Sequence, residues 1–328
     1  MLIPVLFGVS LIVFFLMRVC APDPAPIVLG QHATQESMDA WRQANGLNDP
    51  IVVQYIDFIK GALTGDLGTS YFTKAPVTEE IMARFPATIE LALVAIVLAS
   101  LLGVSVGVVS AVKKNSIFDN GGMLLSLVGV SVPIFWLGIM LIILFSGTMH
   151  LLPSSGRIDP ALRPDTITGF MLIDCLLQGD MEAFWDALRH MILPAVTLSL
   201  YSMAIIARMT RSSMLDTLKQ DYIRTAKAKG ISDGKVDIKH ALRNALMPIV
   251  TVIGLQLGSL LGGAVLTESV YSWPGLGNYT VQCIMKSDFP VIQGVVLLIA
   301  VIFVLMNLLV DVLYAFLDPR IKYAKKEV

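Results

Sequence analysis

Catalysis needs reactive side chains held close together, and the candidates in this 328-residue chain are scattered. Cys20, Cys175 and Cys283 lack the paired spacing of metal ligands, and an odd count makes no disulfide framework. His32, His150, His190 and His240 are equally dispersed, none lying three or four residues from another plausible ligand, which favours structural roles. The glycine loop G-x-x-x-x-G-K-[ST] that cradles nucleotide phosphates is absent. With no cluster of acid, base or nucleophile, the chain is expected to be no enzyme and to hold no metal or cofactor of its own.

The most informative charged stretch runs from Ser212 to Pro248. Leu215, Leu218, Tyr222 and Ala226 recur at spacings of three or four, which predicts one apolar helical stripe, with Arg224, Lys227 and Lys229 on other faces. Gly230 is placed to stop that helix. Ser232 is placed to cap a second one through Lys235, Ile238, Leu242 and Leu246, running into Pro248. Such a hairpin has two uses: an interfacial element meeting anionic headgroups, or a knob that docks into a partner. A second feature is Trp273-Pro274-Gly275, a rigid turn with either an interfacial Trp or a gating role.

The elements that must carry these features are apolar blocks. Hydrophobic residues make up 55% of the chain and charged ones 15%, against about 25% charged in a soluble domain, which points to a bilayer. A spanning helix takes about 20 apolar residues, and six segments qualify. They are Leu2 to Val19, Thr88 to Val112, Gly121 to Phe145 with Pro133 inside, Ile192 to Ile206 opened by Pro194, Ile249 to Leu266, and Val291 to Phe316. The fourth is the weakest. The first lacks a basic leader and a small-residue cleavage site, which argues against a removed signal peptide and leaves open a start upstream of Met1.

Six spans put both ends on one side. The loops of that side hold Lys113, Lys114, Arg208, Arg211, Lys219 and the basic residues of 212–248, and end in Arg320, Lys322, Lys325 and Lys326. By the positive-inside rule both termini are cytoplasmic. Ala21 to Ala87, Ser146 to Met191 and Thr267 to Pro290 then lie outside. Short helices are predicted at Ser37 to Asn45 and Gln54 to Leu63, with a turn at Asn48-Asp49-Pro50, and a weakly amphipathic stretch near Phe170 to Leu177. Gly103 and Gly107, and Gly254, Gly258 and Gly262, repeat at four-residue spacing, the pattern of closely approaching helices. Glu90, Glu268 and Asp311 stand near span boundaries, where each is expected to reach headgroups or pair with a neighbour; Asn307 lies one turn from Asp311.

Asp221-Tyr222-Ile223-Arg224-Thr225-Ala226-Lys227-Ala228-Lys229-Gly230, followed by His240-Ala241-Leu242-Arg243-Asn244-Ala245-Leu246-Met247-Pro248, resembles the EAA loop of type I ABC-importer permeases. The form is that of the dipeptide, oligopeptide, nickel and glutathione group. The family's Glu-Ala-Ala reads Arg224-Thr225-Ala226 here, and its later Leu-Pro reads Leu242-Arg243. Further blocks of the same group extend the resemblance along nearly the whole chain: Gly65 to Ser70, Pro86 to Leu91, Met209 to Met214, Ser272 to Gly277, and Asp311 to Arg320. Ser116 to Asp119 and Thr168 to Asp174 resemble the first membrane subunit of dipeptide permeases.

The resemblance implies an all-α membrane protein with the type I permease fold and an extracytoplasmic loop domain: a first span at 1–20, an extracytoplasmic segment at 21–87, a five-helix transmembrane domain at 88–317 with its coupling loop at 212–248, and a tail at 318–328. It implies a permease subunit importing dipeptides or oligopeptides. Nickel, heme, glutathione and antimicrobial peptides remain as cargo, and a secondary transporter is the rival of a different class. The implied partners are a second homologous permease, two ATPase subunits carrying ATP and Mg, an extracytoplasmic substrate-binding protein, and lipid. Asp221, Tyr222, Arg224, Thr225, Ala226, Lys229 and Gly230 would couple to an ATPase; Trp273, Pro274 and Gly275 are candidates for an outer gate.

Overall fold

The computed structural model describes residues 2–30 and 32–317. The tail expected at 318–328 falls outside them, and so does the Asp311 side chain expected to meet Asn307.

Helix α1 (Leu2–Phe15) ends in a π turn, Leu16–Cys20. Three short helices follow: α2 (Pro24–Leu29), α3 (Gln35–Ala44) and α4 (Ile51–Thr64). The Thr34 hydroxyl accepts from the Ser37 N–H to start α3, and Gly65, left-handed at φ +82°, ends α4. The two helices expected in this segment are therefore present, each begun two or three residues earlier. Tyr55 of α4 meets Ser10 of α1 at 3.0 Å, and the Phe14 ring packs on Tyr55 and Phe58, so α4 packs against the first helix.

Two long helices form the centre, α5 (Val77–Val112) and α9 (Met181–Leu218). They run parallel and very close. A Cβ at Gly103 would sit 2.8 Å from the Met203 carbonyl, and one at Gly107 would sit 2.5 Å from the Thr210 Cβ. At Gly103 and Gly107 the small-residue spacing thus marks a true close approach, whereas a Cβ at Gly258 or Gly262 would meet its nearest atom at 3.4 or 4.0 Å, an ordinary contact. Helix α9 overturns the expectation of a short span opened by Pro194: it starts thirteen residues before that proline, on an Asp180 cap, and carries Pro194 in its interior. Its modest hydropathy has a structural cause. Two-thirds of its apolar window (67%) is buried in protein, against 33% for α5, so its Thr197 and Ser202 bond Tyr271 (2.9 Å) and Gln256 (3.2 Å) instead of meeting lipid.

The span expected from Gly121 to Phe145 is sharply bent at its proline. Helices α6 (Ile117–Ser131) and α7 (Ile134–Leu141, continued by a π stretch to Thr148) meet at a 105° bend. Pro133 has no N–H to continue α6, and it holds Val132 extended (φ −80°, ψ 127°). Helix α8 (Met171–Gln178) precedes α9, and α10 (Asp221–Ala228) follows it. The segments α11 (Asp233–Lys235), a π stretch Val236–Leu242 and α12 (Arg243–Val270) run together as one helix. Helices α13 (Leu276–Lys286) and α14 (Phe289–Leu317) complete the fold.

Among the described residues, four helices are long and apolar enough to cross a membrane, five if the bent α6–α7 pair counts as one span, and α1 with its π turn forms a shorter apolar helix, Pro4–Cys20.

Candidate functional site

The two sets of residues singled out above sit at opposite ends of the bundle. At one end α9 stops at Leu218, and Lys219 and Gln220 reset the chain before α10 begins. That break corrects the single stripe expected from Leu215 to Ala226. Leu215 and Leu218 belong to α9, and the phase change turns Tyr222 outward, 43% exposed, while Ile223 (1%) and Ala226 (8%) face inward. These two join a core cluster with Met214, Val236, Ala241 and Ala245. Helix α10 is thereby anchored by one narrow face. Asp221, Tyr222, Arg224, Thr225, Lys229 and Gly230 are all exposed. Asp221 and Arg224 stand 3.8 Å apart on the outer face, and Lys227 reaches Asp233 at 3.2 Å.

Gly230 ends α10 as expected. Its φ is +76°, its N–H bonds the Lys227 carbonyl (2.9 Å), and the Ile231 N–H bonds the Ala226 carbonyl (3.3 Å), the pattern of a Schellman cap. A Cβ at Gly230 would meet nothing within 4 Å, so glycine is needed there for its backbone and not for space. Ser232 occupies the N-cap position of the next helix, though its side chain makes no capping bond. That helix is not a separate arm of a hairpin. It passes through Pro248 as the start of the α12 span, so displacement of α10 and its Val236–Ala241 seat would act directly on a membrane helix.

At the other end the Trp273-Pro274-Gly275 turn is locked into the core. Trp273 is fully buried (0% exposed), and its Nε1–H donates to the Ala87 carbonyl at 2.9 Å, which overturns the interfacial reading. Pro274 is exposed and Gly275 buried. The Thr88 hydroxyl donates to Glu268 (2.7 Å) and accepts from the Leu276 N–H (2.8 Å); the Asn278 N–H also donates to Glu268 (3.0 Å). A Cβ at Gly275 would lie 2.3–2.5 Å from the Glu268 carboxylate, so this close approach excludes a side chain. Glu90 is paired with Arg157 and accepts from the Leu172 N–H (2.8 Å). Glu90 and Glu268 are thus both buried and partnered within the protein, and neither reaches headgroups. Arg157 also donates to the Gly169 carbonyl (2.9 Å) and lies over the Trp273 ring. Asp174 organises the same loop, accepting from Ile167, Thr168 and Gly169. Burial pushes its carboxyl up, but those hydrogen bonds outweigh burial and hold it below the usual carboxylate value.

Two sequence comparisons bear on this arrangement. Residues 103–323 match the family model described as "Binding-protein-dependent transport system inner membrane component". The chain belongs to that family. Residues 2–92 match the N-terminal model of the same inner-membrane components. Among relatives of this transport component, "Dipeptide transport system permease protein DppB" of Alkalihalophilus pseudofirmus is 48% identical, covering 98% of this chain and 97% of the relative. "Di/tripeptide transport system permease protein DppB" of Pseudomonas aeruginosa is 46% identical over 99% and 97%. In fold, the component is similar to a chain of the inward-facing MetNI methionine ABC transporter, with a TM-score of 0.55 and 18% identity, covering 73% of this chain and 96% of that one.

Sequence reasoning missed several residues that fix this inner-membrane component's geometry. Arg157, the partner of Glu90, was hidden in a loop. Asp119 and Arg211 lie in the Ser116–Asp119 and Met209–Met214 blocks, 92 positions apart, and spacing along the chain carries no signal for such a pair. Arg18, a cation in the first apolar run, did carry one.

Proposed function

We propose that the chain is the permease subunit of an ATP-driven importer that moves dipeptides or oligopeptides across the inner membrane. The observation that carries this reading is near-complete coverage, at 46–48% identity, of relatives named for dipeptide and di/tripeptide transport. The exposed face of α10, held by Ile223 and Ala226 alone, supports a coupling role. In this reading Asp221, Tyr222, Arg224, Thr225, Lys229 and Gly230 form the docking end in a groove of an ATPase subunit, while Ala226, expected there too, is buried in the seat of α10 and anchors the helix instead. The partners are two ATPase subunits holding ATP and Mg, a second homologous permease and an extracytoplasmic binding protein. The chain itself needs no cofactor and catalyses no reaction. The bent α6–α7 pair and the shorter α1 each count as one crossing, giving six spans with both termini cytoplasmic.

Closure of the ATPases on nucleotide would draw α10 with it. Because its seat continues into α12, and α9 leads directly into it, two central spans would tilt together and switch access between the two sides. Trp273, Pro274 and Gly275 then serve as a rigid element of the outer gate. Purification with its associated subunits, followed by ATPase assays with dipeptides, tests the reading. Peptide-stimulated hydrolysis is expected; solute transport by the purified chain with no ATPase attached would refute it.

A further inference from the structure

Arg18, at the outer turn of α1, has its Nε and Nη1 atoms buried without a hydrogen-bond partner among the described residues. The Phe14 and Phe289 rings each lie 5.2 Å from its guanidinium carbon, and Tyr71 stands beside it as a side-chain hydrogen-bond neighbour; none of these serves the Nε and Nη1 donors. Arg18 lines a cavity of about 300 Å³ between α1, α4, the Asp66–Tyr71 loop and the start of α14. Two further side chains on the same cavity are incomplete. Gln293, 4% exposed, has an unpartnered Nε2 donor. Gln54 commits its Nε2 to the Leu47 and Asp49 carbonyls, at 3.2 and 2.8 Å, which leaves its buried Oε1 without a donor.

The wall is built, not incidental. It is the Gly65-to-Ser70 block whose role the transport reading does not use. Gly68, at φ +80°, takes a turn closed by the Asp66 carboxylate (2.9 Å). The Asp288 carboxylate accepts from the Ser70 hydroxyl (2.5 Å) and the Tyr71 N–H (3.0 Å), which pins the loop to the start of α14. Asp57 and Asp66 also line the cavity, but Asp57 pairs with Lys60 and Asp66 with the Gly68 N–H, and neither lies within ion-pair distance of Arg18. The free Arg18 and Gln293 donors therefore still call for an anionic acceptor. The unpartnered Gln54 oxygen calls for a donor as well, so a simple anion leaves the site half satisfied.

We propose that this cavity binds a small zwitterion of the amino-acid or short-peptide class, its carboxylate on Arg18 and Gln293 and its N–H group on Gln54. The volume is at the lower end of small-molecule sites and suits such a ligand. The site is distinct from α10 and from the Trp273 turn, and it stands whether or not the import reading does.

The test uses the full chain in lipid nanodiscs, without ATP or ATPase subunits, titrated calorimetrically with diglycine and with acetate. Diglycine is expected to bind at least about tenfold more tightly than acetate, and Arg18→Met to weaken it by about tenfold or more. Gln293→Glu, which offers Arg18 an internal carboxylate, is expected to abolish diglycine binding while the thermal midpoint is kept or raised. Equal binding by wild type and Arg18→Met, acetate binding as tight as diglycine, or no diglycine binding with an intact fold would each overturn the site and leave a water-filled cavity. None of those results bears on peptide-stimulated ATP hydrolysis, so the two readings fail separately.

Discussion

Arg211 grips Asp119 side-on across 92 positions of sequence, Nε to Oδ1 at 2.6 Å and Nη2 to Oδ2 at 2.8 Å. The same carboxylate accepts from the Asn115 N–H at 2.9 Å. The pair ties the last turns of α9, just before α10, to the first turn of α6, so a pull on α10 reaches the bent α6–α7 pair as well as α12.

Asp119→Asn removes the charge that the Arg211 fork was built around. With Asp119 buried but the Arg211 side chain 26% exposed, the expected loss is about 1–3 kcal/mol, read as a lower thermal midpoint of the purified protein. Arg211→Lys keeps the charge but not the two-point geometry and should fall between wild type and Asp119→Asn. Wild-type midpoints in both variants would show that the pair is ornamental.

Gly230→Val places a β-branched residue at φ +76°, at a strain of about 1–2 kcal/mol, in open space. The protein should insert and fold, while ATP hydrolysis separates from uptake because the end of α10 is re-aimed. Gly230→Asn, which tolerates the left-handed region, should keep most uptake. Equal uptake by Gly230→Val and wild type argues against a role for this turn in coupling.

The Trp273 turn is predicted to be intolerant of small changes. Gly275→Ala drives a methyl group into the Glu268 carboxylate and should lower the thermal midpoint by more than Trp273→Phe does. Trp273→Phe leaves the Ala87 carbonyl without its donor, an effect of about 1–3 kcal/mol. The reverse order would mean that the turn is looser than its contacts imply.

The Asp174 loop sets a pH expectation. Its carboxyl titrates below the ordinary value of about 3.9, so its contribution is fully present above that value and is lost as pH falls through the lower folded value. Hydrogen exchange in the loop should be flat from about pH 5 to 8, apart from the intrinsic base-catalysed rise, and protection should fall only below about pH 4. Asp174→Asn should weaken protection across the whole range. A protection step centred between pH 5 and 7 contradicts this assignment.

Much of this was legible from residue order because the bilayer imposes a length on apolar runs and Gly230 imposes a turn. The failures are equally physical. Helix α9 reads as a weak span since a helix surrounded by protein satisfies Thr197 and Ser202 through Tyr271 and Gln256 and has little need to be oily. Pro133 was visible but its 105° consequence was not, because a proline inside a span is kinked or tolerated according to its neighbours: Pro86, Pro194 and Pro248 sit inside continuous helices. The two-residue break at Lys219–Gln220 shifted which face of α10 is buried, and no periodicity that ran through it could find Ile223. Trp273 lies at a span end, where tryptophans commonly meet headgroups; only the Ala87 carbonyl opposite its Nε1 reveals that this one is buried.

The most direct measurement is cross-linking from Arg224→Cys, on the exposed face of α10, in the assembled transporter. Disulfide formation with a cysteine placed in the docking groove of an ATPase subunit, with a yield that changes on adding nucleotide, is the outcome expected of a coupling helix. Labelling of the same cysteine in intact cells by a membrane-impermeant reagent would put α10 on the outer face and contradict the mechanism at its root.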